Sequence, residues 1–130
     1  MKYLGVDYGS RHAGFAIADD ELRMASPLES WDGETVASLI ARTEQLVRTE
    51  AIDVVVVGVP YSGVHSDEQQ KEIDSFVALL RAQCPVPVET VDERFTSQEA
   101  QVRMRETGSR KDHSVAAMLL LQTYLDSARS

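Results

Sequence analysis

The chain has 130 residues, 43% of them hydrophobic, and carries 13 Lys and Arg against 21 Asp and Glu for a formal charge of −8, which suits one ordinary domain over residues 1–130 with a single core. An acidic chain cannot hold nucleic acid by bulk charge, so such a role needs a local basic patch, whereas an acidic site attracts divalent cations. No apolar run approaches the roughly 20 residues of a membrane span, Met1-Lys2-Tyr3-Leu4 lacks a signal-peptide core, and Cys84 alone allows no intrachain disulfide or cysteine metal site, so a reducing cytoplasm is expected.

In chain order, Lys2 to Asp7 reads as a first strand, and Asp7-Tyr8-Gly9-Ser10 has turn chemistry. Gly14 to Ala18 reads as a second strand. Asp19-Asp20-Glu21 then connects tightly to a third at Leu22 to Ala25, which predicts an antiparallel meander. From about Glu34 to Glu50 the period becomes helical, with Val36, Leu39, Ile40, Leu46 and Val47 as the apolar positions. Val54-Val55-Val56-Val57 followed by Gly58 is a continuous β-branched run, as expected of a strand buried on both faces. Asp67 to Gln83 predicts a second helix with Ile73, Phe76, Val77 and Leu80 on one stripe, and Ser66 or Asp67 can cap it. Pro85 and Pro87 end that helix and lead into a strand from Val86 to Val91, at a sheet edge or a strand entry. Thr96 or Ser97 can cap a third helix to about Arg105, and Gly108-Ser109 breaks the pattern. A last helix opens at Lys111 or Asp112 and runs to Leu125, with Ala116 to Leu121 largely buried. This order predicts an α/β protein: a mixed sheet flanked by helices.

Three places offer chemistry. Asp7 ends the first strand and meets Gly9, and sites in open α/β sheets collect at strand ends. A carboxylate there can hold a metal, or simply cap a turn. Glu93 lies at another strand end, in Val91-Asp92-Glu93-Arg94-Phe95-Thr96. Strand alternation sends Asp92 and Glu93 to opposite sides, so only one can share a site with Asp7; the plain alternative is an exposed charge cluster. Asp112 and His113 open the last helix, where capping alone explains the acid and a histidine most often faces solvent. Together, carboxylates at two strand ends and one helix start suit Mg²⁺ or Mn²⁺, which want oxygen ligands. Two such ions ~4 Å apart can position a water and stabilise the leaving oxygen in phosphodiester cleavage.

Nothing competes strongly with that chemistry. No serine–histidine pair has informative spacing, and Gly58-Val59-Pro60-Tyr61-Ser62-Gly63 is too short for a Walker loop and lacks its lysine. Basic residues gather late, at Arg103, Arg105, Arg110 and Lys111, interrupted by Glu106. Arg94 follows Glu93, and Arg11 and His12 follow Asp7. Around the carboxylates these would make a basic rim for phosphates; otherwise they are a solvated surface.

A family resemblance joins these pieces. Leu4-Gly5-Val6-Asp7-Tyr8-Gly9-Ser10-Arg11 with Gly14-Phe15-Ala16 resembles the opening of the YqgF (RuvX) family. Val57-Gly58-Val59-Pro60, then Asp92-Glu93-Arg94-Phe95-Thr96-Ser97, then Ala116-Ala117 through Leu125 resemble its later motifs, in the right order over nearly the whole chain. The resemblance implies a ribonuclease H-like fold with a five-stranded mixed sheet. It also implies a metal-dependent nuclease that processes the 5′ end of pre-16S rRNA and is related to Holliday junction resolvases, working as a monomer or homodimer. Asp7 and Glu93 are the implied catalytic, metal-binding carboxylates, with Mg²⁺ or Mn²⁺ as cofactor. The third family acid stands three residues before the first alanine, where this chain has His113, with Asp112 one residue earlier. Neighbours on a helix differ by about 100°, so either His113 fills the slot or the helix start shifts to turn Asp112 inward. Two other classes remain in view: a non-catalytic RNA- or ribosome-binding module of the same fold, and an actin-like ATPase, whose phosphate loop Asp7 to Arg11 also resembles. The latter clamps nucleotide between two domains, and this length supplies one.

Overall fold

The structure, a computed structural model, describes residues 1–8, 12–21, 23–33, 35–59, 67–92 and 113–127. Five strands, β1 (Lys2–Asp7), β2 (His12–Asp19), β3 (Ala25–Asp32), β4 (Val54–Val59) and β5 (Val88–Asp92), form one sheet in the order β3-β2-β1-β4-β5. The β1–β2 and β2–β3 pairs are antiparallel, and the β1–β4 and β4–β5 pairs are parallel. Helices α1 (Val36–Thr49) and α2 (Asp67–Gln83) cover one face, and α3 (His113–Ser127) covers the other.

Alternation along the strands sorts the side chains between two cores. Leu4 and Val6 of β1 join Phe15, Val55 and Val57 against Leu39, Ile40, Phe76 and Leu80 of α1 and α2. Ala16, Ala18, Val54 and Val56 point the other way, against Ala117, Leu120, Leu121 and Leu125 of α3. The valine run of β4 is therefore buried on both sides, as a continuous β-branched segment requires. The expected stripe Ile73, Phe76, Val77 and Leu80 is the buried face of α2. The prolines before β5 stand at a sheet edge, where a missing ladder donor costs least.

Helix α1 starts where Thr35 Oγ1 accepts from the backbone N–H of Ser38 at 3.1 Å, which satisfies one of its unpaired first-turn donors. Thr43, buried within α1, donates its hydroxyl to the Leu39 carbonyl at 2.8 Å, so its own polar group enters the apolar interface paired.

The third strand lies later than Leu22 to Ala25. Arg23 N–H donates to the Asp19 carbonyl at 2.8 Å, Arg23 has φ of 54°, and Asp19 Oδ1 accepts from Glu21 N–H. The connection therefore extends through Met24, and β3 begins at Ala25. Of β3 only Ala25 is buried. An edge strand held by its ladder to β2, with Pro27 in it, shows no apolar alternation to read. The helix expected from Thr96 or Ser97 to Arg105 lies outside the described residues, as do the Lys111 and Asp112 starts considered for the last helix.

Two glycines set how closely α3 lies on the sheet. A Cβ on Gly5 would stand 3.0 Å from Leu121 Cβ, and one on Gly14 would stand 1.9 Å from both the carbonyl carbon and oxygen of His113. The first contact is with a side chain that can yield a little; the second is with backbone that cannot. Gly14→Ala is thus expected to destabilise the fold by about 1–3 kcal/mol or more, and Gly5→Ala by less. Urea unfolding of both variants checks this, and equal losses would contradict the close approach at Gly14.

Candidate active site

Asp7 is the last residue of β1 and sits mid-sheet, opposite Gly14 of β2 and Gly58 of β4. Both neighbours lack a side chain, so the Asp7 carboxylate has no flanking Cβ beside it at its own level of the sheet. Tyr3 packs in the α3-side core and Gly5 meets α3, so alternation turns Asp7 toward that helix as well. His113 is the first residue of α3, and its Nδ1 lies 3.0 Å from Asp7 Oδ2. The Asp7 side chain is only 13% exposed and that of His113 30%. A largely buried carboxylate needs such a partner.

The next residue, Tyr8, fixes the strand end from the other face. Its hydroxyl donates to Glu72 of α2 at 2.8 Å, and its ring stacks on the buried Phe76 with centroids 4.4 Å apart and planes at 19°. Burial first, and the Glu72 hydrogen bond second, push the Tyr8 hydroxyl well above the usual tyrosine range, so it stays a donor. One strand end is thus tied to α2 through Tyr8 and to α3 through Asp7.

A second imidazole stands beside the first. His12 opens β2, its Nδ1 lies 2.5 Å from Asp32 Oδ1 at the end of β3, and its ring is nearly parallel to that of His113, at 12°, with centroids 5.9 Å apart. Neither the Asp32 contact nor the ring pair was visible in the sequence, where Asp32 fell beyond the expected third strand. The usable signal was strand length: a third strand running on to Asp32 would have put the two residues in register.

Of the residues expected to form the site, Asp7 and His113 meet. Glu93, Asp112, Arg11, Arg94, Arg103, Arg105, Arg110 and Lys111 lie outside the described residues, and so does the loop from Pro60 to Gly63. Among the described residues no cluster of three or more His, Cys, Asp or Glu side chains is arranged to hold a metal ion. The pair that is present suits one. The 3.0 Å between them is an ordinary hydrogen-bond length, so here the two side chains hold each other, and the same carboxylate and imidazole would be the groups to hold an ion when one binds. Carboxylate oxygen and imidazole nitrogen together fit a first-row divalent ion.

The chain matches the family model described as "RuvX: Holliday junction resolvase" over residues 1–127. A protein of Chloroflexus aggregans named "Putative pre-16S rRNA nuclease" is 38% identical over 135 residues, covering 98% of this chain and 94% of that protein. Among solved structures, RuvC of T. thermophilus in complex with a Holliday junction substrate superposes with a TM-score of 0.70 at 17% identity, covering 99% of this chain and 95% of that one. A Fowlpox virus resolvase in complex with Holliday junction DNA gives a TM-score of 0.62 at 14% identity, with each chain covered completely. At these identities the structural likeness is one of fold, and it is the ribonuclease H-like fold expected from the sequence motifs.

His113→Ala is expected to weaken binding of Mn²⁺, followed by calorimetry or its paramagnetic relaxation, by about 10-fold or more, while His113→Asp retains it. Asp112→Asn should leave the affinity nearly unchanged. The reverse pattern would assign the ligand role to Asp112.

Proposed function

The chain belongs to the RuvX family of Holliday junction resolvases, and from that premise we propose that it is a single-domain, divalent-metal-dependent nuclease acting on structured nucleic acid. Its proposed substrate is the 5′ end of pre-16S rRNA, with branched DNA as a second substrate, and the single cysteine suits a reducing cytoplasm. The observation that carries the reading is the meeting of Asp7 and His113 across 106 residues of sequence. They occupy the first and the third positions of the family's carboxylate set.

In this reading Asp7, Glu93 and His113 or Asp112 hold Mg²⁺ or Mn²⁺. Support for Glu93 comes from the family motif Asp92-Glu93-Arg94 and from its place in sequence directly after β5. Val91 pairs with Gly58, which pairs with Asp7, so the end of β5 is two strands from Asp7, a lateral spacing of roughly 10 Å that two acidic side chains can span. A bound divalent cation would supply charge for the phosphate and lower the cost of making hydroxide from water.

The protein's own part is positional. Asp7 presents a carboxylate on a rigid central strand, held by neighbours on both sides, so little reorganisation accompanies binding. His113 holds that carboxylate by one oxygen from the start of α3. Arg11, Arg94, Arg103, Arg105, Arg110 and Lys111 are the proposed phosphate contacts, and they give an acidic chain the local basic rim it needs. A monomer suffices to process a single strand, whereas symmetric cleavage of a junction calls for a dimer.

Pre-16S rRNA, single strands, duplexes and four-way junctions incubated with and without Mn²⁺ test the proposal. Cleavage of the precursor RNA that requires Mn²⁺ is expected, with Asp7→Asn lowering the rate by 100-fold or more, a loss of roughly 2.7 kcal/mol in barrier terms. Because both acids would serve the same ion, the Asp7→Asn, Glu93→Gln double variant should be little worse than either single one. RNA binding without cleavage under any metal would replace the enzyme with a binding module of the same fold. For the rim, Arg110→Ala with Lys111→Ala should flatten the salt dependence of RNA affinity by about 1.4–1.8 logarithmic units per decade of salt, and an unchanged slope would return these residues to the solvated surface.

A further inference from the structure

Beyond the Asp7–His113 pair, a second polar pair stands at the same end of the sheet. His12 opens β2, Asp32 ends β3, and the two are direct partners in the β2–β3 ladder. A carboxylate offers only acceptors, so the ring proton sits on Nδ1 and donates to Asp32 Oδ1 across 2.5 Å. In the neutral imidazole this leaves Nε2 as an acceptor. The two ring nitrogens flank Cε1 and point apart, so Nε2 faces away from Asp32. Among the described residues none hydrogen-bonds to Nε2, and the His12 side chain is 50% exposed. Its ring lies beside the Asp7–His113 pair, with its centroid 5.9 Å from that of His113.

We propose that His12, aimed by Asp32, accepts a hydrogen bond from a ribose 2′-hydroxyl and so favours RNA over DNA beside the metal centre. The inference rests on the reading of Asp7 and His113 as part of that centre. An ion held there takes the reacting phosphate, and the group bonded to a phosphate along the strand is a sugar, not a base. A side chain next to the centre is therefore placed to meet sugar. Phosphate oxygens only accept, and an acceptor nitrogen backed by the Asp32 carboxylate repels them. A ribose hydroxyl donates, and deoxyribose has none to offer. Orientation comes from Asp32. An unbonded imidazole turns in a broad χ2 well, whereas the bond to Asp32 fixes both the ring plane and the tautomer. Both residues take their places from strand register, so the acceptor stands on the sheet and not on a loop. A plain cross-strand pair would stabilise the β2–β3 edge and treat the two sugars alike.

The test reads binding by fluorescence anisotropy, with Ca²⁺ in place of Mn²⁺. The probes are a short single-stranded RNA with the sequence of the pre-16S 5′ flank and two copies with identical bases, one 2′-deoxy and one 2′-fluoro throughout. The fluoro sugar keeps the ribose pucker but cannot donate. Wild type should bind the ribose probe about 3–10-fold more tightly than the fluoro probe, the net strength of one hydrogen bond, and prefer it to the deoxy probe by at least as much. His12→Phe, which keeps a ring beside His113 but has no acceptor, should lose the preference over the fluoro probe. Asp32→Ala, at a side chain 79% exposed, should lose part of it. Circular dichroism checks folding, and if His12→Phe fails to fold, Asp32→Ala carries the comparison. Equal binding of the ribose and fluoro probes by wild type would overturn the proposal, and so would an undiminished preference in the folded variants. Failure of the metal-centre reading shows separately, as Mn²⁺ binding indifferent to Asp7→Asn and His113→Ala, while the sugar preference, which needs no cleavage, still decides what His12 does.

Discussion

The approach of α3 to β2 at Gly14 is the constraint on which the site depends. Any side chain at that position would collide with the backbone of His113, because an added Cβ would lie within 2 Å of its carbonyl group. With no side chain there, the first turn of α3 settles onto the sheet beside the end of β1, and His113 reaches Asp7. The rest of α3 holds that position through apolar contact. Leu120 and Leu121 are almost wholly buried, and burial of each such side chain contributes roughly 1.5–3 kcal/mol. Packing along the helix thus sets the distance between two polar groups at its start.

The sheet gives the site its rigidity. β1 is central, bonded to β2 on one side and β4 on the other, so the backbone of Asp7 is fixed from both directions. Tyr8 extends the restraint to α2 on the opposite face, through Glu72 and Phe76. A carboxylate at the end of an edge strand would lack these supports. The parallel β1–β4–β5 half also brings three strand ends to one rim, where ligands collect in open α/β sheets.

Charge is distributed along the strands in a way the net value hides. Away from Asp7, several acidic groups have partners within the protein. Asp53 accepts from the Lys2 backbone N–H at 2.8 Å, Asp20 lies 3.6 Å from the amino terminus, and Glu89 accepts from Tyr124. Burial, then the Glu89 contact, pushes the Tyr124 hydroxyl up to about 12. The charge of these three groups is thus partly answered within the protein, away from the end of β1.

The sequence by itself determined the elements whose burial is one- or two-sided and continuous. The valine run of β4, the Ile73–Phe76–Val77–Leu80 stripe of α2 and the mostly apolar body of α3 each carry their environment in their composition, because apolar area must leave water wherever the chain goes. Asp7 was legible for a related reason: a carboxylate ending a strand and followed by Gly9 is a local pattern. Tertiary structure alone decided the rest. β3 is mostly exposed, so its extent follows from hydrogen bonding to β2, which leaves no hydrophobic trace in the chain. The His12–Asp32 bond follows from that register, and the choice of His113 as the partner of Asp7 follows from the close seat of α3 over Gly14. Each of these is a contact between residues distant in sequence, set by how two elements dock, and docking distance is a property of the packed pair that neither segment encodes alone.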